Sequence, residues 1–311
     1  MSNKEAKTFS VVVPVYNSEE SLMELFESLK GVFSRMNKSF EVIFVNDCSR
    51  DTSYEVLKTI SKENSDVIVI NLTKNYGQQN ALMCGFNFCS GNYVITMDDD
   101  LQNSPEDIAK LYQKISEGYD AVFGTYTKKQ HNIFKNAASY FIRKLNHLLF
   151  LKNNKLRFSS FRIIKKSIID EIKTIKTPFP YISGMILTVS NYIANVEVEH
   201  FSRKYGKSSY SLRKLISLSF NLLINYSSFP LRFTGALGLM ISVSLFFIVG
   251  LFVLRKLFLG TAPAGWTTLI VLVSFNNAVI LIIFFLLGEY ISRILKELAK
   301  VRQYSIREIL K

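Results

Sequence analysis

Cysteine, histidine and tryptophan are scarce: three, three and one among 311 residues. Cys48, Cys84 and Cys89 form no C-x-x-C pair, so they read as reduced thiols in or near a core. His131, His147 and His200 are scattered, and no zinc site is visible. No G-x-G-x-x-G follows the first predicted strand and no G-x-x-x-x-G-K-[ST] occurs anywhere. Dinucleotide-binding and P-loop readings therefore both fail. Residues 1–8 are polar, and the first apolar stretch, Phe9–Val15, is only strand-length, so no signal peptide is expected. Internal repeats and low-complexity stretches are missing as well.

Long apolar runs are present, but only near the C-terminus. Phe233–Leu254 and Thr267–Leu287 contain no charged residue, and each spans roughly 30 Å as a helix, the thickness of a bilayer's hydrocarbon core. Two such runs in tandem favour a membrane hairpin over a buried soluble one. Arg232 precedes the first, and Arg293, Lys296, Lys300 and Arg302 follow the second. This bias expects the preceding domain and both termini to be cytoplasmic, although Arg255 and Lys256 in the short external loop weaken it.

Charge is divided unevenly. Residues 1–125 hold 11 Lys+Arg against 18 Asp+Glu, a net of −7, whereas residues 126–311 hold 27 against 7, a net of +20. The basic half contains the apolar runs, so anionic lipid headgroups are better partners for it than nucleic acid, and no nucleic-acid partner is expected.

The first 125 residues alternate strand and helix signals. Strands are predicted at Phe9–Val15, Glu41–Val45, Val67–Leu72, Tyr93–Met97 and Asp120–Gly124. Helices are predicted at Glu19–Phe33, Asp51–Glu63, Gln78–Cys89 and Pro105–Glu117. The alternation implies an α/β fold with a doubly wound, mainly parallel sheet whose ligands bind beyond the carboxyl ends of the strands. From 126 to 232 the chain turns irregular, basic and aromatic. Ile133–Leu151 and Ser211–Phe229 read as basic amphipathic helices that lie in the membrane interface or pack on the sheet. The expected division is 1–125, 126–232, a transmembrane hairpin at 233–288 with spans at about 233–254 and 267–287, and a cytoplasmic tail at 289–311. Asn276 and Asn277, in the middle of the second span, face hairpin packing or self-association, so a homo-oligomer is one expectation.

The chemistry concentrates at strand ends. Asp98-Asp99-Asp100-Leu101-Gln102 follows the fourth strand. Three adjacent carboxylates repel one another unless a cation or solvent relieves them. A hard divalent ion bridging carboxylates to substrate phosphates suits that need. In an extended chain Asp98 and Asp100 point to one side and Asp99 to the other. Alone, such a triplet reads more often as a solvated turn. Here Pro14-Val15-Tyr16-Asn17 ends the first strand, Asn46-Asp47-Cys48-Ser49-Arg50-Asp51 ends the second, and Lys74-Asn75-Tyr76-Gly77-Gln78 follows the third. A nucleotide pocket needs an acceptor for a base N–H, close backbone approach and a metal at the diphosphate; Asp47, the Tyr76-Gly77 turn and Asp98/Asp100 suit these in order.

These motifs, with G-Y-D-A-V-F-G, S-S-F-R, R-K-Y-G-K-S-S-Y-S and L-L-G-E-Y-I-S-R further on, resemble family 2 glycosyltransferases of the polyprenyl-phosphate class. That class includes dolichol-phosphate mannose synthases and undecaprenyl-phosphate 4-deoxy-4-formamido-arabinose transferases, and the likeness to the latter covers nearly the whole chain. The resemblance implies a GT-A fold, a nucleotide sugar donor (UDP-linked), a polyprenyl (undecaprenyl) phosphate acceptor, a divalent cation (Mg²⁺ or Mn²⁺) and inversion at the anomeric carbon. It further implies an inner-membrane enzyme feeding cell-envelope glycan or lipid modification. On this sequence it places Pro14, Tyr16, Asn17 and Glu19 at the nucleotide end, and Asp47 against the base. Lys74, Gly77, Gln78, Asp98 and Asp99 also fall among the nucleotide-sugar-binding positions. Metal ligation falls to Asp98, Asp100 and Gln102. The basic loop near the transferring phosphates becomes Arg203, Gly206, Ser208 and Tyr210. Asp100 and Arg203 are its catalytic candidates, and Arg203 and Ser208 its acceptor-phosphate candidates; the cations needed to position two anionic substrates add Arg162 as a catalytic candidate and Lys128 and Lys135 as acceptor-phosphate candidates.

Three positions depart from the family pattern. The usual D-D-G-S is Asn46-Asp47-Cys48-Ser49; an arginine often found after the fifth strand is missing, leaving Lys128 and Lys129; and Ser160 stands where many relatives carry an aspartate. A general base at position 160 is then not expected. A phosphate monoester, with a second pKa of about 6, is already largely dianionic at neutral pH. Its oxygen attacks without losing a proton, and the site needs cationic positioning instead. A processive polysaccharide synthase would carry Q-x-x-R-W and more spans, whereas the one tryptophan is Trp266 in the external loop. A catalytically silent nucleotide-sugar-binding subunit is the alternative that Asn46 and Ser160 leave open.

Overall fold

A computed structural model describes residues 7–126, 156–201, 204, 229–259, 265–298 and 302–311. They fall into two compact units, Met1–Tyr210 with Val301–Lys311, and Ser211–Lys300.

The first unit is built on one eight-stranded sheet. In chain order it contains β1 (Phe9–Val15), α1 (Leu22–Met36), β2 (Phe40–Asn46), α2 (Ser53–Glu63), β3 (Val67–Leu72), α3 (Gln78–Phe86), β4 (Tyr93–Thr96), α4 (Ile108–Ile115) and β5 (Ala121–Tyr126). After the undescribed segment come β6 (Arg162–Lys165), α5 (Lys166–Thr174), α6 (Ile182–Val189), β7 (Ile193–Val198) and, at the C-terminus, β8 (Ile306–Leu310). The order across the sheet is β7-β5-β6-β4-β1-β2-β3-β8. β4, β1, β2 and β3 are mutually parallel, as are β5 and β7, while β6 and β8 run antiparallel to their neighbours.

Every residue of β1 is buried, as a strand covered on both faces requires. Val11, Val13 and Val15 pack with α1 residues such as Leu25 and Leu29 on one side. Val12 packs with Ala81 and Leu82 of α3 on the other. Gly85 permits that contact, since a Cβ there would stand 2.3 Å from Val12 Cγ1.

All five expected strands and four expected helices are present, with boundaries moved for local reasons. The first helix starts at Leu22 rather than Glu19, because the Glu19 carboxylate accepts from the Thr52 amide at 2.7 Å and draws that segment into the loop. The second starts at Ser53, whose amide donates to Asp51 Oδ1 at 3.0 Å. Pro105–Asp107 forms a single 3₁₀ turn before α4.

Two expectations differ from what is found. Part of the stretch expected to be irregular, residues 156–201, is regular, with two strands and two helices. Residues 306–310, expected within a tail, form the edge strand β8 against β3, with Val69 opposite Leu310. Tyr54 Oη donates to Glu308 Oε2 at 2.5 Å and the Thr73 amide donates to the Ser305 carbonyl at 3.0 Å. Most of Ile133–Leu151 and Ser211–Phe229, the expected interfacial helices, lies outside the described residues.

The second unit contains two long helices, α7 (Phe229–Leu259, 31 residues) and α8 (Trp266–Leu298, 33 residues). The two expected spans fall inside them. They expose large apolar side chains, among them Leu239, Phe247, Leu251, Leu281, Phe284 and Phe285, a surface unsuited to water. Among the described residues one stretch, Phe275–Ser292, is long and apolar enough to cross a bilayer, and none of it is buried within the protein.

Candidate active site

Four loops meet beyond the carboxyl ends of β1, β2, β3 and β4, and each contains one residue in the left-handed region. These are Asn17 (φ 54°), Cys48 (φ 58°), Gly77 (φ 86°) and Leu101 (φ 57°). Concentrated backbone strain of this kind is a recurrent property of ligand sites.

The loops hold one another through side chains that the sequence singles out. Asp47, 3% exposed, accepts the Tyr76 amide on Oδ1 at 2.7 Å and the Gly77 amide on Oδ2 at 2.8 Å. Burial raises its carboxyl, and the two amides offset only part of that rise. Asp47 is thus the clasp of the β3–α3 loop, a role that sequence reasoning missed. Asn17 Oδ1 accepts from the Arg50 amide at 2.8 Å, so Asn17, like Glu19, braces the β2–α2 loop. Tyr16 is left with its side chain exposed, and Pro14 lies buried inside β1. Lys74 is exposed, with its ammonium 5.0 Å from the centre of the Tyr76 ring.

Within the acidic triplet Asp98 and Asp99 turn to opposite sides. Asp99 turns toward the β1–α1 loop, where Oδ2 accepts the Tyr16 amide at 3.1 Å and its carbonyl accepts Ser21 Oγ at 2.6 Å. Burial pushes its carboxyl up to about 6. Asp98 turns to the opposite side, accepting Gln78 Nε2 on Oδ1 and Ser160 Oγ on Oδ2, each at 2.5 Å. Burial raises the Asp98 carboxyl; the Ser160 hydroxyl lowers it, the Asp100 charge raises it, and Arg162 and Gln78 lower it. Asp100 Oδ1 accepts the Gln102 amide at 3.1 Å, a local turn that the left-handed Leu101 makes available.

The acidic turn is also tied to the entry of the basic loop. Asn103 and His200 form an antiparallel bridge, and the Phe201 amide donates to the Gln102 carbonyl at 2.9 Å. Gln102 Nε2 donates to the Phe201 carbonyl at 3.4 Å, and Tyr126 Oη donates to Asn103 Oδ1 at 2.8 Å. Lys204 is paired with Glu24 of α1 at 2.7 Å. The segment entering the basic loop therefore lies against Gln102, although no motif signals the bridge. Lys128, Lys129, Lys135, Arg203, Gly206, Ser208 and Tyr210 lie outside the described residues.

Arg162 departs from its expected place. It is 2% exposed, inside the sheet between β4 and β5, rather than lining the site as a substrate clamp. Ser160 is engaged as a donor to Asp98, so at position 160 the protein presents a hydroxyl proton to the acidic pair rather than a base.

Cys48 occupies a conformation that glycine adopts without penalty. Left-handed backbone costs a residue with a Cβ roughly 1–2 kcal/mol, against about 0.5–1 kcal/mol for the extra unfolded-state freedom of glycine. Cys48→Gly is expected to stabilise the protein by about 0.5 kcal/mol, read as a small rise in the chemical-denaturation midpoint.

The fold and these loops together define a glycosyltransferase of GT-A-like architecture. The protein belongs to glycosyl transferase family 2, whose sequence pattern matches residues 10–173. Its relatives include the undecaprenyl-phosphate 4-deoxy-4-formamido-L-arabinose transferase of Proteus mirabilis, 34% identical over 308 residues, covering 97% of this chain and 93% of that protein. The Photorhabdus laumondii enzyme of the same name is 32% identical over 317 residues, covering 100% and 96%. An uncharacterised glycosyltransferase of Bacillus subtilis is 32% identical over 291 residues, covering 93% and 90%. Among solved structures, glucosyl-3-phosphoglycerate synthase from Mycobacterium tuberculosis, in complex with Mn²⁺, UDP and glucosyl-3-phosphoglycerate, aligns with a TM-score of 0.53 at 18% identity. That alignment covers 71% of this chain and 80% of the other; at such identity the likeness is one of fold.

Proposed function

We propose that this glycosyltransferase moves a sugar, with inversion, from a nucleotide-diphosphate donor to a polyprenyl phosphate at the cytoplasmic face of a cell membrane. The observation that carries the reading is the acidic turn: Asp98 and Asp100 lie beyond the sheet, joined through Gln102 and Asn103 to the segment entering the basic loop. The acidic turn for the donor is thus tied to the chain that leads into the basic loop. The acceptor class is supported by relatives named for undecaprenyl phosphate, and a uridine donor by the fold neighbour holding UDP.

A divalent cation fits the donor set. Among the described residues no group of three or more His, Cys, Asp or Glu side chains converges, which disfavours an all-protein cage. Two carboxylates completed by substrate phosphates and water is the arrangement Mg²⁺ commonly takes. Asp98 and Asp100 would hold it, with Gln102 beside them; when bound, the cation neutralises charge developing on the departing diphosphate. The protein's own groups do the rest. The Asp47 clasp shapes the donor loop, and Arg203, outside the described residues, is the basic-loop candidate for the phosphates. The dianionic lipid phosphate attacks from the opposite side without a base, so Ser160 at the family's aspartate position leaves the reaction intact.

Topology supports the membrane reading. β3 and β8 share one sheet, so the chain between them crosses a bilayer an even number of times or not at all. With α7 and α8 both apolar, two crossings fit, and the basic flanks favour a cytoplasmic sheet.

The test incubates membranes containing the protein with a panel of nucleotide sugars and undecaprenyl phosphate, and identifies the lipid product by mass. A sugar–phosphate–undecaprenyl product that disappears with EDTA and returns with Mg²⁺ or Mn²⁺ is expected. Release of nucleoside diphosphate without any lipid-linked sugar would remove the acceptor assignment.

A further inference from the structure

We propose that Arg162 is a positioning residue that holds Asp98 from inside the protein, through Thr96 and Ser160, instead of gripping the acceptor phosphate. The inference rests on the metal-dependent transfer proposed above.

The connection is a continuous chain of hydrogen bonds. Arg162 sits on β6, paired with Thr96 of β4 in the sheet register. Its Nε donates to Thr96 Oγ1 at 3.0 Å and its Nη1 to Ser183 Oγ at 2.8 Å. A threonine hydroxyl has a single proton. With Thr96 Oγ1 accepting from Arg162, that proton goes to the Ser160 carbonyl at 2.6 Å. The backbone of Ser160 is thereby fixed, and its hydroxyl donates to Asp98 Oδ2 at 2.5 Å. Gln78 holds the other oxygen of Asp98. One guanidinium therefore determines where a carboxylate three side chains away is aimed.

Charge argues the same way. A buried cation is costly unless paired or set in a favourable field. Among the described residues no ion pair includes Arg162. The Phe123 ring lies beside it, its centre 5.7 Å from Cζ. Burial pushes the guanidinium down to about 10, which leaves it protonated at neutral pH; Tyr181 and, after it, Asp98 favour its charge, and Asp98 is the carboxylate of the two. The attraction is mutual. Arg162 offsets repulsion within the acidic pair before any cation arrives, and no substrate contact is needed because 2% exposure leaves no surface for one.

The experiment measures Mn²⁺ binding to the purified full chain in detergent with UDP present, by electron paramagnetic resonance, beside separate KM values for Mn²⁺ and undecaprenyl phosphate. Arg162→Gln is expected to weaken Mn²⁺ binding about 10-fold or more with less than 2-fold change in the KM for the lipid. Arg162→Lys, which keeps the charge, is expected to recover most of the affinity. A role in stability alone would not separate these two variants by metal affinity. An unchanged Mn²⁺ affinity in Arg162→Gln with a raised lipid KM would overturn the proposal in favour of the clamp. Should Arg162→Gln not fold, Ser160→Ala and Thr96→Val decide. Each is expected to weaken Mn²⁺ binding several-fold, and unchanged binding in both overturns the proposal. If wild type binds no Mn²⁺ with UDP, the metal-dependent reading falls and this inference with it; wild-type binding with unresponsive variants sinks this inference alone.

Discussion

Asp100→Asn is expected to lower sugar transfer about 1000-fold, about 4 kcal/mol of transition-state stabilisation, while the protein stays folded and membrane-bound. The asparagine keeps a carbonyl oxygen for the Gln102 amide that Asp100 Oδ1 accepts, so that turn bond survives while the charge is lost. Asp98→Asn is expected to lose as much. It also loosens α3, because one of the two donors at Asp98, Gln78 Nε2 or Ser160 Oγ, then meets an amide NH₂. Asp99→Asn is the contrast. Asp99 accepts the Tyr16 amide on the far side of the turn, a bond that an amide oxygen replaces, so a loss below about 10-fold is expected. Lipid product measured by mass at saturating Mg²⁺ or Mn²⁺ ranks the three, and full activity in Asp98→Asn or Asp100→Asn removes the metal assignment.

The opposite turns of Asp98 and Asp99 were legible in the sequence because neighbours in an extended chain alternate, although β4 itself ends at Thr96, before the triplet. β1 to β5 were legible for a related reason: buried parallel strands read as continuous apolar runs between amphipathic helices. β6, β7 and β8 were not. β6 is four residues, Arg162–Lys165, with a charge at each end. β7 lies at the sheet edge and is only partly buried, so Glu197 interrupts its pattern. β8 reads Ile-Arg-Glu-Ile-Leu after a long apolar helix, the composition of a solvated tail, and its partner β3 lies more than 230 residues earlier in the chain. Missing β6 had a direct consequence at the site. With Arg162 taken to lie in an irregular basic segment, a substrate-facing cation was the natural reading. Once Arg162 is an inner residue of a central strand, burial removes it from the surface and the Thr96–Ser160–Asp98 chain becomes visible. The left-handed turn at Cys48 hides for a different reason, since a glycine there would have marked it and a cysteine does not.

Asp47→Asn is expected to raise the KM for the nucleotide-sugar donor about 30- to 100-fold, through the shape of a loop rather than through a lost contact alone. Asp47 is 3% exposed and spends one oxygen on the Tyr76 amide and the other on the Gly77 amide. Asparagine supplies one acceptor and points an NH₂ at the second N–H. A hydrogen bond to a charged acceptor is worth about 1.5–3 kcal/mol, and a buried unpaired N–H costs about 1–3 kcal/mol more. Against this, the neutral side chain escapes the desolvation that raises the Asp47 carboxyl, so the net cost is about 2–3 kcal/mol. Gly77, at φ 86°, is the cap residue of α3, and a loop released there must be reordered by the donor each time it binds. Each 1.4 kcal/mol of reordering is about tenfold in affinity, which gives the stated range. Hydrogen exchange separates the two roles open to Asp47. As a clasp, its replacement speeds exchange of the Tyr76 and Gly77 amides with no ligand present. As a base contact alone, it leaves the ligand-free exchange unchanged and moves only the KM.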